Sequence, residues 1–156
     1  KQAAGPESEE VASCLHNLGA LYSRMGRYTD SESTFREALR IREMRLSAGD
    51  LRIAQTRYAL AIALSWQGDY DESEQLFRAV LAQRQAALGP EHPDVANCLT
   101  QLGQLYLEHG EMAHAAPLLE RALAIQRKSA GEVSQEAGLS WAALARLYMM
   151  QGAYEI

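Results

Sequence analysis

Histidine, cysteine and carboxylate side chains, which can bind metal ions or take part in hydrolysis, are concentrated in residues 89–112, GPEHPDVANCLTQLGQLYLEHGEM. His109 and Glu111, with His114 just beyond this stretch, offer nitrogen and oxygen ligands for a divalent cation. No further ligand follows at a helical spacing that would complete a closed coordination shell. The sequence also contains no Ser/His/Asp order and no phosphate-binding loop motif. We therefore predict no metal site, no cofactor and no enzymatic activity in this segment.

The composition is that of an ordinary folded protein. Of the 156 residues, 47% are hydrophobic and 22% are charged. The net charge of −5 disfavours binding to nucleic acid or to a membrane surface, because both require clustered Lys and Arg. The longest apolar stretches, such as residues 58–64, are too short to span a bilayer. Two cysteines and the absence of a basic-then-apolar start predict a reducing, cytoplasmic location.

An internal repeat organises the chain. The segments that begin at Cys14, Thr56 and Cys98 align without a gap, at a regular spacing of about 42 residues. The clearest columns are Gly26, Gly68, Gly110 and Gly152; Leu18, Leu60, Leu102 and Leu144; and Leu39, Leu81 and Leu123. This period predicts repeats at residues 8–49, 50–91 and 92–133 and a partial fourth at 134–156, as in a piece of a longer array.

Each repeat is predicted to contain two antiparallel helices. In the first helix, Val11, Leu15, Leu18 and Tyr22 recur at steps of three and four residues, which is typical of one buried helical face. The columnar glycine is expected to end that helix, because glycine adopts the left-handed conformation at little steric cost.

The helix boundaries have signals of their own. Thr29 followed by Glu32, and the equivalent pair one repeat later, predict N-caps for the second helices. Pro93 suits the first turn of a first helix, and His92 before it is predicted to be an N-cap or a solvated loop residue.

Three further columns bear on packing. Close helix approach is predicted at a column of small residues, Gly19, Ala61, Gly103 and Ala145. Cys14 and Cys98 share a column two repeats apart and are predicted to be buried as small apolar residues. Arg57 interrupts an apolar column, and we predict that its stem packs on apolar neighbours, with a charge pair to a carboxylate as the alternative.

These columns of Leu, Gly or Ala, Tyr, Gly, Tyr, Phe or Leu, and Ala or Val resemble the tetratricopeptide repeat (TPR). The period of about 42 residues, with LGPEHPDVA between repeats, resembles the long variant of kinesin light chains and nephrocystin-3. The resemblance implies an all-α fold, a right-handed superhelix (solenoid) of three complete helix pairs plus the first helix of a fourth. It also implies a concave groove lined by the first helices.

By the register of that family, the groove is lined by polar and aromatic positions of the first helices. They are Ser13, His16, Asn17, Arg24, Gln55, Tyr58, Ile62, Trp66, Asn97, Gln101, Gln104, Glu108 and Arg146, and Thr100 shares their register. Amides can pair with a peptide backbone as donor and acceptor. Tyr58 and Trp66 would supply apolar anchors, unless neighbouring helices cover them.

The resemblance implies a protein–protein interaction scaffold that binds a peptide segment of a partner in this groove. An alternative is a sensor or regulatory arm of a larger signalling protein that acts on its own effector domain, since similar long repeats occur beside NTPase or caspase-like protease domains. A third alternative is self-association through the open ends of the array. The predicted partners are therefore proteins or peptides, and not nucleic acid or membranes.

Overall fold

The computed structural model describes residues 7–130, 135–150 and 152, and these residues form helices and short turns without a strand. Their helices are α1 (Glu9–Arg24), α2 (Tyr28–Arg45), α3 (Leu51–Gln67), α4 (Tyr70–Leu88), α5 (Pro93–Glu108), α6 (Met112–Ala130) and α7 (Gln135–Met150). Seven helices in the described ranges fit the predicted three pairs plus the first helix of a fourth. In the described part of the chain, no helix combines the length and the apolar character needed to cross a bilayer.

The chain divides into two compact units, Lys1–Gln83 and Arg84–Ile156. In the first unit, α1 packs on α2 and α2 packs on α3. In the second unit, α5 packs on α6 and α6 packs on α7. Short turns between consecutive helices make such neighbours antiparallel, as predicted for each repeat.

The first helices of the repeats begin at one recurring cap. Ser8, Asp50 and His92 occupy the same column, and each side chain accepts a main-chain N–H of the first turn, at 3.3, 2.9 and 3.1 Å. Pro93 is the first residue of α5, where its missing N–H is not needed. The predictions for His92 and Pro93 are confirmed.

The second helices begin earlier than predicted. α2 starts at Tyr28, so Thr29 lies inside the first turn and the capping box predicted there is wrong. The reason is the tight closure of α1: Gly26 has a φ of +73°, and the N–H of Arg27 donates to the carbonyl of Tyr22 at 2.9 Å. This closure leaves a turn too short to place Thr29 before the helix.

In the column of small residues, Gly19 and Gly103 lie at close helix contacts, as predicted, and Ala61 is buried, whereas Ala145 is exposed. A Cβ added at Gly19 would lie 2.9 Å from the ring of Phe35, and one at Gly103 would lie 2.7 Å from Leu119. Phe35 in turn belongs to the core of the first unit, with Leu60, Ala63 and Leu64.

The two cysteines differ, although they share a column. Cys98 is fully buried, and burial raises the pKa of its thiol to about 12. Cys14 is exposed, so the prediction of burial is wrong for this residue. Its equivalent in α3, Thr56, is buried in a helix that packs on α2, whereas no described helix covers Cys14. Arg57 pairs with Glu43, with 2.7 Å between Nη2 and Oε1, so the carboxylate alternative is the one observed.

Candidate functional site

The predicted groove residues of the first unit lie on the two first helices, α1 and α3. We call them the α1/α3 surface: Ser13, His16, Asn17, Arg24, Gln55, Tyr58, Ile62 and Trp66. Asn17, Arg24, Gln55 and Trp66 are exposed, and the other members are partly buried. All of them therefore keep some surface that a ligand can contact.

A buried arginine supports one half of this surface. Arg42 of α2 is only 3% exposed, and its Nη1 donates to the hydroxyl of Thr56 at 2.6 Å and to the carbonyl of Arg52 at 3.0 Å. Its Nη2 donates to Ser13 Oγ at 3.3 Å. His16 Nδ1 lies 3.4 Å from Thr56 Oγ1. A polar cluster thus joins α1, α2 and α3. We call its residues the floor of the surface: Ser13, His16, Arg42 and Thr56.

The charge of Arg42 at this floor is paired with Glu9, although Arg42 Nε and Glu9 Oε2 are buried without a hydrogen bond in the described part of the chain. Burial lowers the pKa of His16, and the nearby charge of Arg42 lowers it further, so the imidazole is neutral at neutral pH. The His16 ring also packs against Phe35, with 5.4 Å between centroids. Arg42 Nε lies 3.4 Å from Glu9 Oε1. The floor therefore offers polar contacts but no free cation for an anionic ligand.

The apolar half of the surface lies on α3, where Tyr58, Ile62 and Trp66 follow one another at steps of four residues. Tyr58 is partly buried and meets Phe77 edge to face, with 5.7 Å between centroids. Trp66 is 64% exposed and stacks on Tyr28 at 5.8 Å with an interplanar angle of 8°. The indole is therefore stacked on Tyr28 but remains exposed, so neighbouring described helices do not cover Trp66.

The second unit presents its own set of predicted groove residues, on α5 and α7: Asn97, Gln101, Gln104, Glu108 and Arg146. The three amides are partly buried, and the two charged residues are exposed. Thr100, in the same register, is only 3% exposed, so it is not available to a partner. Its hydroxyl lies 2.8 Å from Ser140 Oγ and donates to the carbonyl of Ala96 at 3.0 Å. Two repeats earlier, the contact between His16 and Thr56 is the equivalent of the one between Thr100 and Ser140.

Sequence reasoning missed the buried arginines of the second helices. Arg42 and Arg84 are one repeat apart and both are buried. Arg84 donates to the carbonyl of Asp94 at 2.8 Å, which is the equivalent of the bond from Arg42 to Arg52. The signal was present in the sequence, because a charged residue recurs in a column of an otherwise apolar helical face.

The histidines that first suggested metal chemistry are exposed: His109 directly follows α5, and His114 lies in the first turn of α6. Nδ1 of His109 lies 3.0 Å from one oxygen of Glu111, and Nδ1 of His114 lies 2.8 Å from the other. These two hydrogen bonds, that of His109 first, lower the pKa of Glu111. No group of three or more His, Cys, Asp or Glu side chains in the described ranges is placed to hold a metal ion. The arrangement links three side chains to each other where α5 ends and α6 begins.

Two family models, each described as tetratricopeptide repeat, match residues 11–50 and 52–128. The chain belongs to the tetratricopeptide repeat family. The sequence-based assignment to this family is thus confirmed, and so is the all-α fold class. No curated protein matches the sequence.

Solved structures of the kinesin light chain type are similar to this TPR protein. The crystal structure of BtubC (BKLC) from P. vanneervenii matches with a TM-score of 0.84 and 23% identity, over 92% of this chain and 57% of that chain. A putative kinesin light chain of Podosopora anserina, with nearly identical TPR-like repeats, matches with a TM-score of 0.82 and 24% identity, over 92% and 68% of the two chains. The chain thus spans little more than half of BtubC, and at these identities the likeness shows the fold.

A secretion chaperone shares the fold as well. SycD of Yersinia enterocolitica, solved in complex with a peptide of the translocator YopD, matches with a TM-score of 0.69 and 15% identity, over 99% of this chain and 100% of that chain.

Proposed function

We propose that this TPR protein is an interaction scaffold that binds a peptide segment of a partner protein on the α1/α3 surface. The observation that carries the proposal is Trp66, which is 64% exposed and yet stacked on Tyr28. A large aromatic side chain that is both ordered and open to solvent is suited to anchor a ligand, because little conformational entropy is lost on binding.

In this proposal an apolar side chain of the peptide packs against Tyr58, Ile62 and Trp66. Asn17 and Gln55 are exposed on the same surface, and their amides can donate to and accept from the peptide backbone. The amides of α5 in the second unit, Asn97, Gln101 and Gln104, offer a further set of the same chemistry. The complex of the TPR-fold chaperone SycD with a translocator peptide supports the proposal by analogy of fold.

The proposal is tested with peptides selected from a random phage-displayed library on the wild-type protein. Each peptide is then titrated onto a Trp141→Phe variant, in which Trp66 is the one remaining tryptophan. We expect binding to shift the emission of Trp66, because the indole leaves water. Trp66→Ala should weaken binding at least tenfold, since loss of a buried aromatic anchor costs about 2 kcal/mol or more.

The matched control is Glu120→Ala, which removes an exposed side chain of α6 outside the predicted groove register. Circular dichroism should be the same for both variants, because neither residue is part of the core. If the selected peptides bind the Trp66 and Glu120 variants equally well, the binding surface lies elsewhere.

A further inference from the structure

The floor of the α1/α3 surface contains one hydrogen-bonding atom that its neighbours do not use. His16 Nδ1 lies 3.4 Å from Thr56 Oγ1, whereas His16 Nε2 has no hydrogen-bond partner in the described part of the chain. Nε2 is not buried either. A ring nitrogen that is open to solvent therefore lies on the surface that we propose to bind a peptide.

The protons of the floor decide whether this nitrogen donates or accepts. Thr56 has one hydroxyl proton, and the shorter of its two possible bonds goes to the carbonyl of Arg52, at 3.0 Å against 3.4 Å to His16 Nδ1. Arg42 Nη1 donates to the same hydroxyl oxygen at 2.6 Å. One lone pair of that oxygen is left for His16, so Nδ1 carries the imidazole proton and donates to Thr56.

A neutral imidazole with its proton on Nδ1 presents the lone pair of Nε2 as an acceptor. Burial and the nearby charge of Arg42 lower the pKa of His16, so this form is the one present at neutral pH. The charged groups joined to the floor are Arg42 on α2, Arg52 on α3 and Glu9 on α1, and Asp50 pairs with Arg52 at 2.7 Å. Both carboxylates are thus paired with arginines, and neither contacts the imidazole.

The imidazole is particular to the first repeat. The equivalents of His16 are Tyr58, Thr100 and Ala142. Thr100 is only 3% exposed, and its hydroxyl is hydrogen-bonded to Ser140. Ala142 has no polar side-chain atom. An open imidazole acceptor therefore occurs once in this column, and it would favour one register of a bound peptide.

The surroundings of Nε2 favour a neutral N–H donor. A cationic donor would lie near the guanidinium of Arg42 and would be repelled by it, and a carboxylate has no proton to donate. Asn17 and Gln55 are exposed on the same surface, and their amides can bind further main-chain groups. The main chain of an extended peptide supplies such a donor at every residue except proline.

We propose that His16 is a specificity-determining residue of the peptide site, and that its Nε2 accepts a hydrogen bond from a main-chain N–H of the bound peptide. The inference rests on the proposed function, because it needs a peptide on the α1/α3 surface. An imidazolium donates from both nitrogens and offers no acceptor. Peptide affinity is therefore highest above the pKa of His16 and falls as the pH drops through it.

The test follows the histidine side chains by NMR during a pH titration, without peptide and with a saturating selected peptide. Protonation and binding compete for Nε2, so the peptide should lower the pKa of His16 by about one unit or more, which corresponds to about tenfold weaker binding to the protonated form. The nitrogen chemical shifts of the free protein should show the proton on Nδ1. The resonances of His114, which is exposed on α6, should be the same with and without peptide.

Two variants separate the acceptor from the ring. His16→Gln carries a carbonyl oxygen that reaches the place of Nε2, so its affinity should stay within about threefold of wild type and lose its pH dependence. His16→Asn is shorter and reaches only Thr56, so at about pH 7.5 it should bind about tenfold more weakly, because the peptide N–H loses its acceptor. The matched control is His114→Gln, which should keep both the affinity and its pH dependence.

A change in the peptide identifies the donor. Each main-chain amide of the peptide is replaced in turn by an ester, which removes one N–H. One of these replacements should weaken binding to the wild type about tenfold and leave binding to His16→Asn nearly unchanged, because the two changes remove the same hydrogen bond.

Several results would overturn the proposal and leave the proposed peptide function intact. They are a His16 pKa that is unchanged or raised in the complex, a proton on Nε2 in the free protein, or equal affinities of wild type and His16→Asn for a peptide that needs Trp66. A peptide that binds independently of Trp66 and leaves the pKa of His16 unchanged would overturn both proposals.

Discussion

Arg42 illustrates how a charge is accommodated inside a repeat of this kind. Desolvating a guanidinium is costly unless its N–H groups find acceptors. Arg42 has a carbonyl, two hydroxyls and the carboxylate of Glu9 around it, and these acceptors come from α1 and α3. One side chain of α2 therefore holds two first helices in register beneath the α1/α3 surface.

We expect Arg42→Met to lower the free energy of unfolding by about 2 kcal/mol, because the polar groups around the guanidinium lose their shared donor in a buried place. The control is Arg40→Met on the same helix, where the ion pairs with Glu7 and Glu37 are exposed and their loss should cost less than about 1 kcal/mol. Urea unfolding of the two variants measures the difference. Equal losses would mean that the buried network contributes no more than an exposed ion pair.

At the scale of helices, the starts of α1, α3 and α5 are fixed by one column of capping side chains, Ser8, Asp50 and His92. Asp50 is the charged member of this column. Hydrogen bonds from the Arg52 side chain and then from its main-chain N–H lower the pKa of Asp50 from 3.8 to about 2. The cap is therefore strongest when the carboxylate is ionised.

This pKa shift predicts a pH dependence for the start of α3. Because the pKa of Asp50 is lower in the folded state, its contribution is fully present above pH 3.8 and is lost as the pH falls through about 2. Asp50→Asn keeps a good cap without an ionisable group. The difference in urea midpoint between wild type and this variant should therefore shrink as the pH is lowered from about 5 to about 2. A constant difference would show that the ionised carboxylate does not stabilise the start of α3 through its bonds to Arg52.

Features that depend on local sequence were predictable, and features that depend on neighbours were not. The repeat period predicted the helix pairs, and His92 with Pro93 predicted the start of a helix. Both predictions were possible because apolar spacing and capping act within a few residues. The helix cap predicted at Thr29 was wrong because the closure of α1 determines where α2 begins. The burial predicted for Cys14 was wrong because it depends on a covering helix. The register placed Thr100 in the groove, but Thr100 is buried and its hydroxyl is hydrogen-bonded to that of Ser140 on another helix.

For the candidate site, the register of the family placed Asn17, Gln55 and Trp66 at accessible positions. It did not show that Trp66 stacks on Tyr28 or that Arg42 lies beneath Ser13. Both contacts join helices that are separate in sequence, so they follow from packing and not from a local pattern.

At the scale of the whole molecule, a repeat protein is stabilised mainly by contacts between neighbours in sequence. The contacts within the first unit join α1 with α2 and α2 with α3, and those within the second join α5 with α6 and α6 with α7. A destabilising substitution in one helix pair should therefore increase local opening of that pair and leave distant helices unchanged.

Gly103→Ala tests this expectation. The new Cβ would lie 2.7 Å from Leu119, which is fully buried, so overpacking should cost about 1–3 kcal/mol. Hydrogen exchange followed by mass spectrometry should show lost protection in α5 and α6, with α1 and α2 unchanged.

The matched control is Gly138→Ala in α7, where no atom lies within 4 Å of an added Cβ. Alanine should there stabilise the helix by up to about 1 kcal/mol, because it has the higher helix propensity. A uniform loss of protection over all described helices in Gly103→Ala would contradict local opening. It would mean that the chain unfolds as one cooperative body, despite a fold built from repeats.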